Sequence, residues 1–126
     1  MVILQGIDLL KVERIKKIYL SYKDKFLKKI LTDLEIKQIK KNQKIYYKIA
    51  GKFSAKEAVV KAMGTGFADG IKIKDIEILN LKNGKPIINL HGKAKKRMGN
   101  IESSSISISN DGGFVVSVAT FLMKKI

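Results

Sequence analysis

Glu57 and Lys61 stand four residues apart in Phe53-Ser54-Ala55-Lys56-Glu57-Ala58-Val59-Val60-Lys61-Ala62-Met63-Gly64-Thr65-Gly66. On a helix that spacing puts a carboxylate and an ammonium on one face. The helix follows from Ala55, Ala58, Val59, Ala62 and Met63 at helical intervals, and from Gly64, placed where a left-handed residue closes a C-terminus. A carboxylate and lysines leading into a glycine-rich turn suit a phosphate held through a divalent metal. The same pair also reads as an exposed ion pair worth a few tenths of a kcal/mol.

The functional reading needs a second carboxylate. Asp8 is the candidate, a single acid in the apolar strand-like run Val2-Ile3-Leu4-Gln5-Gly6-Ile7-Asp8-Leu9-Leu10, costly there unless something satisfies it. Gly6 suits close approach by another backbone or by a ligand. Asp8 fits equally well as the N-cap of the helix that follows.

Taken together, these motifs resemble the holo-[acyl carrier protein] synthases, the small bacterial type of 4′-phosphopantetheinyl transferase. Gly6-Ile7-Asp8-Leu9 with Arg14-Ile15 is similar to that family's opening signature, and Lys29-Ile30-Leu31-Thr32 to the block after it. Gly51 to Ala58 with Lys61 to Gly66 resembles the central signature. Asp75-Ile76-Glu77-Ile78, Asn83-Gly84-Lys85-Pro86 and Ser107-Ile108-Ser109 resemble the C-terminal blocks, so the likeness spans essentially the whole chain.

The resemblance implies transfer of the phosphopantetheine arm of coenzyme A to a serine of an apo acyl carrier protein, releasing adenosine 3′,5′-bisphosphate. It implies Mg²⁺ on Asp8 and Glu57 and a catalytic set of Asp8, Glu57 and Lys61. Coenzyme A contacts are expected from Lys52, Lys56, Lys61, Gly64, Thr65, Gly66, Ser109 and Asn110. The general base is open among Glu57, Asp8, Asp33 and Glu35. Two departures stand out: Lys52 replaces a frequent arginine and loses its bidentate fork, and Asn110 replaces the usual histidine and cannot carry charge. His91, the only histidine, is expected to be structural or solvent-facing.

With 26 basic and 11 acidic residues the chain carries +15, and residues 1 to 61 alone hold 16 basic against 6 acidic. Such an excess attracts polyanions. By family analogy the partner is an acidic carrier protein, docked by Arg14, Lys17, Lys25, Lys28 and Lys29. A basic nucleic-acid-binding module is the competing class. It predicts aromatics interleaved on a basic surface, whereas the nine here are scattered among apolar positions. A third reading, a homologue that binds coenzyme A or carrier protein without turnover, is encouraged by Asn110 and opposed by Asp8, Glu57 and Lys61.

The 126 residues make one transferase domain, 1-126, with a modest core. There is no cysteine, compatible with a reducing compartment. Neither a long apolar run nor a signal pattern occurs, so no membrane association and a cytoplasmic location are expected.

The elements that must position these residues read as α+β: N-terminal helices packed on a small antiparallel sheet, as in the phosphopantetheinyl transferases. A helix from about Lys11 to Tyr22 buries Val12, Ile15, Tyr19 and Tyr22 and turns Arg14, Lys17 and Ser21 elsewhere. Thr32-Asp33-Leu34-Glu35 is a capping box opening a helix toward Lys41, and residues 42 to 48 read as a charged connector. Two strands around Ile76-Ile78 and Ile87-Leu90 are joined by a two-residue turn at Asn83-Gly84. Ser103 to Ser109 and Phe114 to Phe121 form strands about the turn at Asn110-Gly113. The resemblance implies a homotrimer with active sites between subunits, Ile106, Ile108, Val116 and Val118 being candidates for its shared core.

Overall fold

The computed structural model describes residues 1–39 and 44–124. In chain order they form β1 (Val2–Lys11), α1 (Val12–Tyr22), α2 (Asp24–Ile30), α3 (Asp33–Ile39) and α4 (Ile45–Met63). A short 3₁₀ turn (Ile73–Asp75) then leads into β2 (Ile76–Asn80), β3 (Pro86–Leu90), α5 (Gly92–Met98), β4 (Ile101–Asp111) and β5 (Phe114–Met123). The antiparallel sheet runs β1-β5-β4, and β2-β3 is a separate hairpin. The α+β expectation holds, although a strand rather than a helix comes first.

Helix α4 is the axis of the molecule. Ala55, Ala58, Val59, Ala62 and Met63 pack with Ile76, Ile78, Ile106, Ala119 and Phe121 in one core. Ile49 and Ala50 join Leu10, Val12, Ile15, Leu27, Ile30, Leu31 and Val115 in a second. These small side chains let the helix lie close to the sheet. The closest approach is at Gly6, where an added Cβ would stand 2.0 Å from the Ala58 carbonyl oxygen. The glycine is thus explained by another backbone, and Asp8, two residues on, is held inside β1 and not at a helix N-cap; that position is Lys11.

The helix ends at Gly64, whose φ of 78° is left-handed as expected. Its start differs from the sequence reading: Ile45–Lys48, expected in a connector, are its first turn. Ile45, Tyr46 and Tyr47 pack against the second core, and that burial extends the helix. Residues 42 and 43 of that connector, and the end of α3 toward Lys41, lie outside the described residues.

The capping box is present: Thr32 N donates to Glu35 Oε1 at 2.9 Å and Glu35 N to Thr32 Oγ1 at 3.3 Å. In the β2-β3 hairpin, Gly84 N donates to the Leu81 carbonyl at 2.8 Å and Leu81 N to that of Lys85 at 2.9 Å. The loop is therefore three residues, 82–84, closed by Gly84 at positive φ, and not a two-residue Asn-Gly turn. Gly112 and Gly113, both at positive φ, form the β4-β5 turn, with Asp111 and Phe114 paired.

Tyr22, expected inside, is 61% exposed, because the chain turns at Lys23 into α2 before the tyrosine reaches the core. Ile106 and Ile108 face inward against the chain's own core. They are therefore not the surface for another copy. The opposite sheet face is open and apolar, with Ile3, Ile7 and Leu9 60–68% exposed. Val118 and Val116 stand beside Ile7 and Leu9 in the register.

Candidate active site

Gly6 brings β1 onto α4, and that contact sets Asp8 against the helix face carrying Ser54, Glu57 and Lys61. Lys61 Nζ donates to Asp8 Oδ1 at 3.1 Å and to the Ile7 carbonyl at 3.0 Å. Ser54 Oγ is 3.5 Å from the Asp8 carbonyl, a long contact. Glu57 is half-buried. Its carboxyl is held above the usual carboxylate range, first by loss of hydration and then by the Asp8 charge, with Lys61 opposing. Two carboxylates that repel each other beside one lysine are the arrangement the sequence motifs suggested.

Among the described residues no three Asp, Glu, His or Cys side chains cluster as a metal cage. Asp8 and Glu57 supply hard oxygens of like charge, and a divalent cation between them would relieve their repulsion. Two carboxylates fit Mg²⁺, which keeps waters and takes phosphate oxygens as further ligands.

The other expected coenzyme A residues fall into three places. Gly64, Thr65 and Gly66 follow Lys61 at the open end of α4. Lys52 and Asn110 line a groove of about 630 Å³ with Lys44, Lys48, Tyr46, Tyr47 and Pro86. Lys52 is nearly buried; its Nζ donates to the carbonyl of Ile78 and to Asn80 Oδ1. Burial lowers its pKa to about 8. Along the helix axis Lys52 and Lys61 are about 13 Å apart. Ser109 points to the open sheet face opposite Val116 and does not line that groove.

Lys56 must be withdrawn as a phosphate ligand. It is fully buried, with its Nζ donating to Glu35 Oε1 at 2.6 Å and to the Ile30 carbonyl at 2.8 Å. Glu35 also accepts from Ile78 N at 2.9 Å. A carboxylate so fully engaged in the core is no general base. Asp33 is exposed in the first turn of α3. His91 is bonded to Glu77 Oε1 at 3.0 Å and is structural, as expected.

Of the expected docking residues, Lys25 and Lys29 border a groove of about 500 Å³ between α1 and α2 with Ile18, Tyr22 and Phe26. Arg14, Lys17 and Lys28 are exposed on the same two helices. Sequence reasoning missed the apolar floor of this groove and the two tyrosines of the cationic one. Tyr46 and Tyr47 were legible only once residues 45 to 48 were read as helix.

Residues 5–119 match the family model of the 4′-phosphopantetheinyl transferase superfamily. The chain is 41% identical over 125 residues to a holo-[acyl-carrier-protein] synthase of Maridesulfovibrio salexigens, covering 99% of this chain and 100% of that one. Its fold is similar to the crystal structure of the Helicobacter pylori holo-[acyl-carrier-protein] synthase in complex with coenzyme A. The TM-score there is 0.83 at 35% identity, over 94% of this chain and 99% of that one. The Bacillus anthracis synthase in complex with coenzyme A (3′,5′-ADP) matches with a TM-score of 0.77 at 32% identity, over 94% of each chain.

Proposed function

The chain belongs to the 4′-phosphopantetheinyl transferase superfamily, and on that premise we infer how its own residues carry the reaction. It is an enzyme that transfers the 4′-phosphopantetheine group of coenzyme A to a serine of apo acyl carrier protein. The serine oxygen bonds to phosphorus, the bond to the departing adenosine 3′,5′-bisphosphate breaks, and the serine proton passes to a base.

Asp8, Glu57 and Lys61 are the catalytic set. The observation that carries this assignment is the Lys61–Asp8 contact at 3.1 Å beside a Glu57 whose affinity for a proton is raised. Asp8 and Glu57 would hold Mg²⁺, which when bound supplies positive charge at the diphosphate. Lys61, 53% exposed, is free to swing from Asp8 to a phosphate oxygen as a point charge. Glu35 is engaged in the core and is not the base; Asp8, Glu57 and Asp33 are the carboxylates that could take the serine proton.

Lys52 and Asn110, in the cationic groove with its tyrosine walls, suit the adenosine bisphosphate end of coenzyme A. Gly64, Thr65 and Gly66 would border the diphosphate. The α1-α2 groove, apolar along its floor and edged by Lys25 and Lys29, suits an acidic helix of the carrier protein, with Arg14, Lys17 and Lys28 around it. The open apolar sheet face supports a homotrimer, each copy covering its neighbour's Ile7, Leu9, Val116 and Val118. The separation of groove and acid pair within one chain supports active sites shared between copies. The single domain 1-126 would work in the cytoplasm. No helix among the described residues is long and apolar enough to cross a membrane.

The test is chromatographic detection of adenosine 3′,5′-bisphosphate from coenzyme A. Release should require both apo carrier protein and Mg²⁺ and stop with EDTA. Release without carrier protein would point to hydrolysis and overturn the transfer reading.

A further inference from the structure

Among the described residues Ser117 Oγ is the only buried side-chain polar atom with no hydrogen-bond partner. Ser117 lies in the central strand β5, fully buried on the inner face, and its paired residue in β1 is Asp8. Directly paired residues project from the same face with Cβ atoms about 5 Å apart, so hydroxyl and carboxylate share one space under α4. On the other side Ser117 pairs with Ile108, whose side chain has no polar atom. Lys61 holds Asp8 through Oδ1.

An orphan buried hydroxyl costs folding free energy. Alanine is accommodated in the same inner row at Ala119, also fully buried, so packing alone does not call for a serine. A change of the serine χ1 from one staggered well to another can aim the hydroxyl at its neighbour.

We infer that Ser117 is a positioning residue for Asp8: its hydroxyl donates to the Asp8 carboxylate once Lys61 turns away to a phosphate oxygen. This deepens the proposed metal site and rests on it. In the free protein Lys61 orients the carboxylate; in the loaded one Ser117 takes over, keeping Asp8 turned toward the cation. Hydrogen bonds to ligating carboxylates orient them in this way, and their loss typically weakens metal binding about tenfold or more.

The test measures Mn²⁺ binding by electron paramagnetic resonance with coenzyme A present, in wild type, Ser117→Ala and Ser117→Cys, alongside each thermal midpoint. Both variants should bind Mn²⁺ on the order of tenfold more weakly. The midpoint of Ser117→Ala should stay level or rise, since an orphan hydroxyl is removed. Mn²⁺ affinities within twofold of wild type in both variants overturn the proposal alone. So does a loss of affinity that comes only with a lowered midpoint in both, which marks a packing role. Wild type that binds no Mn²⁺ at all sinks the metal site and this inference with it.

Discussion

Gly6 lies so close to Ala58 that a Cβ on it would meet the Ala58 carbonyl oxygen at 2.0 Å and the Ala62 amide nitrogen at 2.5 Å. Both obstacles are helix backbone and cannot rotate away. The contact is what holds Asp8 against Lys61 across two elements. Gly6→Ala should therefore destabilise the fold by about 3 kcal/mol or more and abolish transfer in whatever fraction folds. Urea denaturation checks this; a Gly6→Ala protein as stable and active as wild type would mean that β1 is not seated as described.

The buried Lys56–Glu35 pair makes a second prediction. Lys56→Met removes the ammonium but leaves the Glu35 carboxylate in the core, at a cost of about 3–5 kcal/mol. Adding Glu35→Leu should recover much of that loss, because no uncompensated charge is left. Thermal unfolding of the two single variants and the double variant gives the coupling. Additive losses would show that the two side chains do not act as a pair.

Glu57 is predicted to trade stability for activity. Its folded pKa is raised above 4.5, so its protonated form is favoured in the folded state. That contribution is full below the unfolded value and is lost as pH rises through the folded one. At neutral pH the ionised carboxylate strains the site, and Glu57→Gln should raise the thermal midpoint by about 1–4 °C while transfer collapses. The gain should vanish at pH 4, where wild type is protonated too. A midpoint that drops equally at both pH values would contradict the assignment.

Much of this was legible in the residues, and the reasons for the rest are physical. Gly6, Asp8, Glu57, Lys61 and Gly64 could be read because each breaks or ends a local pattern in a way that few roles explain. Lys56 could not, since nothing in its neighbours says that a lysine three turns into a helix meets a carboxylate from α3. That is a tertiary fact. The start of α4 was hidden by the charges of Lys44 and Lys48 between its apolar positions. Ile106 and Ile108 were put on the wrong face because alternation gives two faces without saying which one α4 covers. Ser117 carried no signal at all; its interest arises only from the strand register that sets it beside Asp8.

If Lys52 holds coenzyme A as proposed, binding should depend on pH. Its pKa of about 8, lowered chiefly by burial, means that the groove loses a positive charge as pH rises through that value, well before an ordinary lysine. An anion binding there favours the charged form, so affinity should fall between pH 7 and 9. In Lys52→Met binding should be weaker and flatter across that range. Calorimetric titration at three pH values distinguishes this from a uniform loss, which would assign Lys52 a purely structural place.

The open sheet face should control assembly. Val118→Glu puts a charge beside Ile7, where a covering copy would have to desolvate it, and light scattering should report a monomer with transfer reduced at least tenfold. Each large aliphatic side chain of this face that becomes fully covered is worth about 1.5–3 kcal/mol. A wild-type protein that is monomeric and fully active would remove the shared-site proposal.

Asp8, Glu57 and Lys61 are proposed to form the site that moves phosphopantetheine onto the carrier. Intact-protein mass spectrometry of apo acyl carrier protein, after incubation with coenzyme A, Mg²⁺ and either wild type, Asp8→Asn, Glu57→Gln or Lys61→Met, tests it most directly. Wild type should give one phosphopantetheine adduct per carrier, each variant a rate at least a hundredfold lower, on the order of what one general-base or electrostatic group contributes, and EDTA should leave no adduct. Adduct formation at wild-type rate by any of the three folded variants would contradict that assignment.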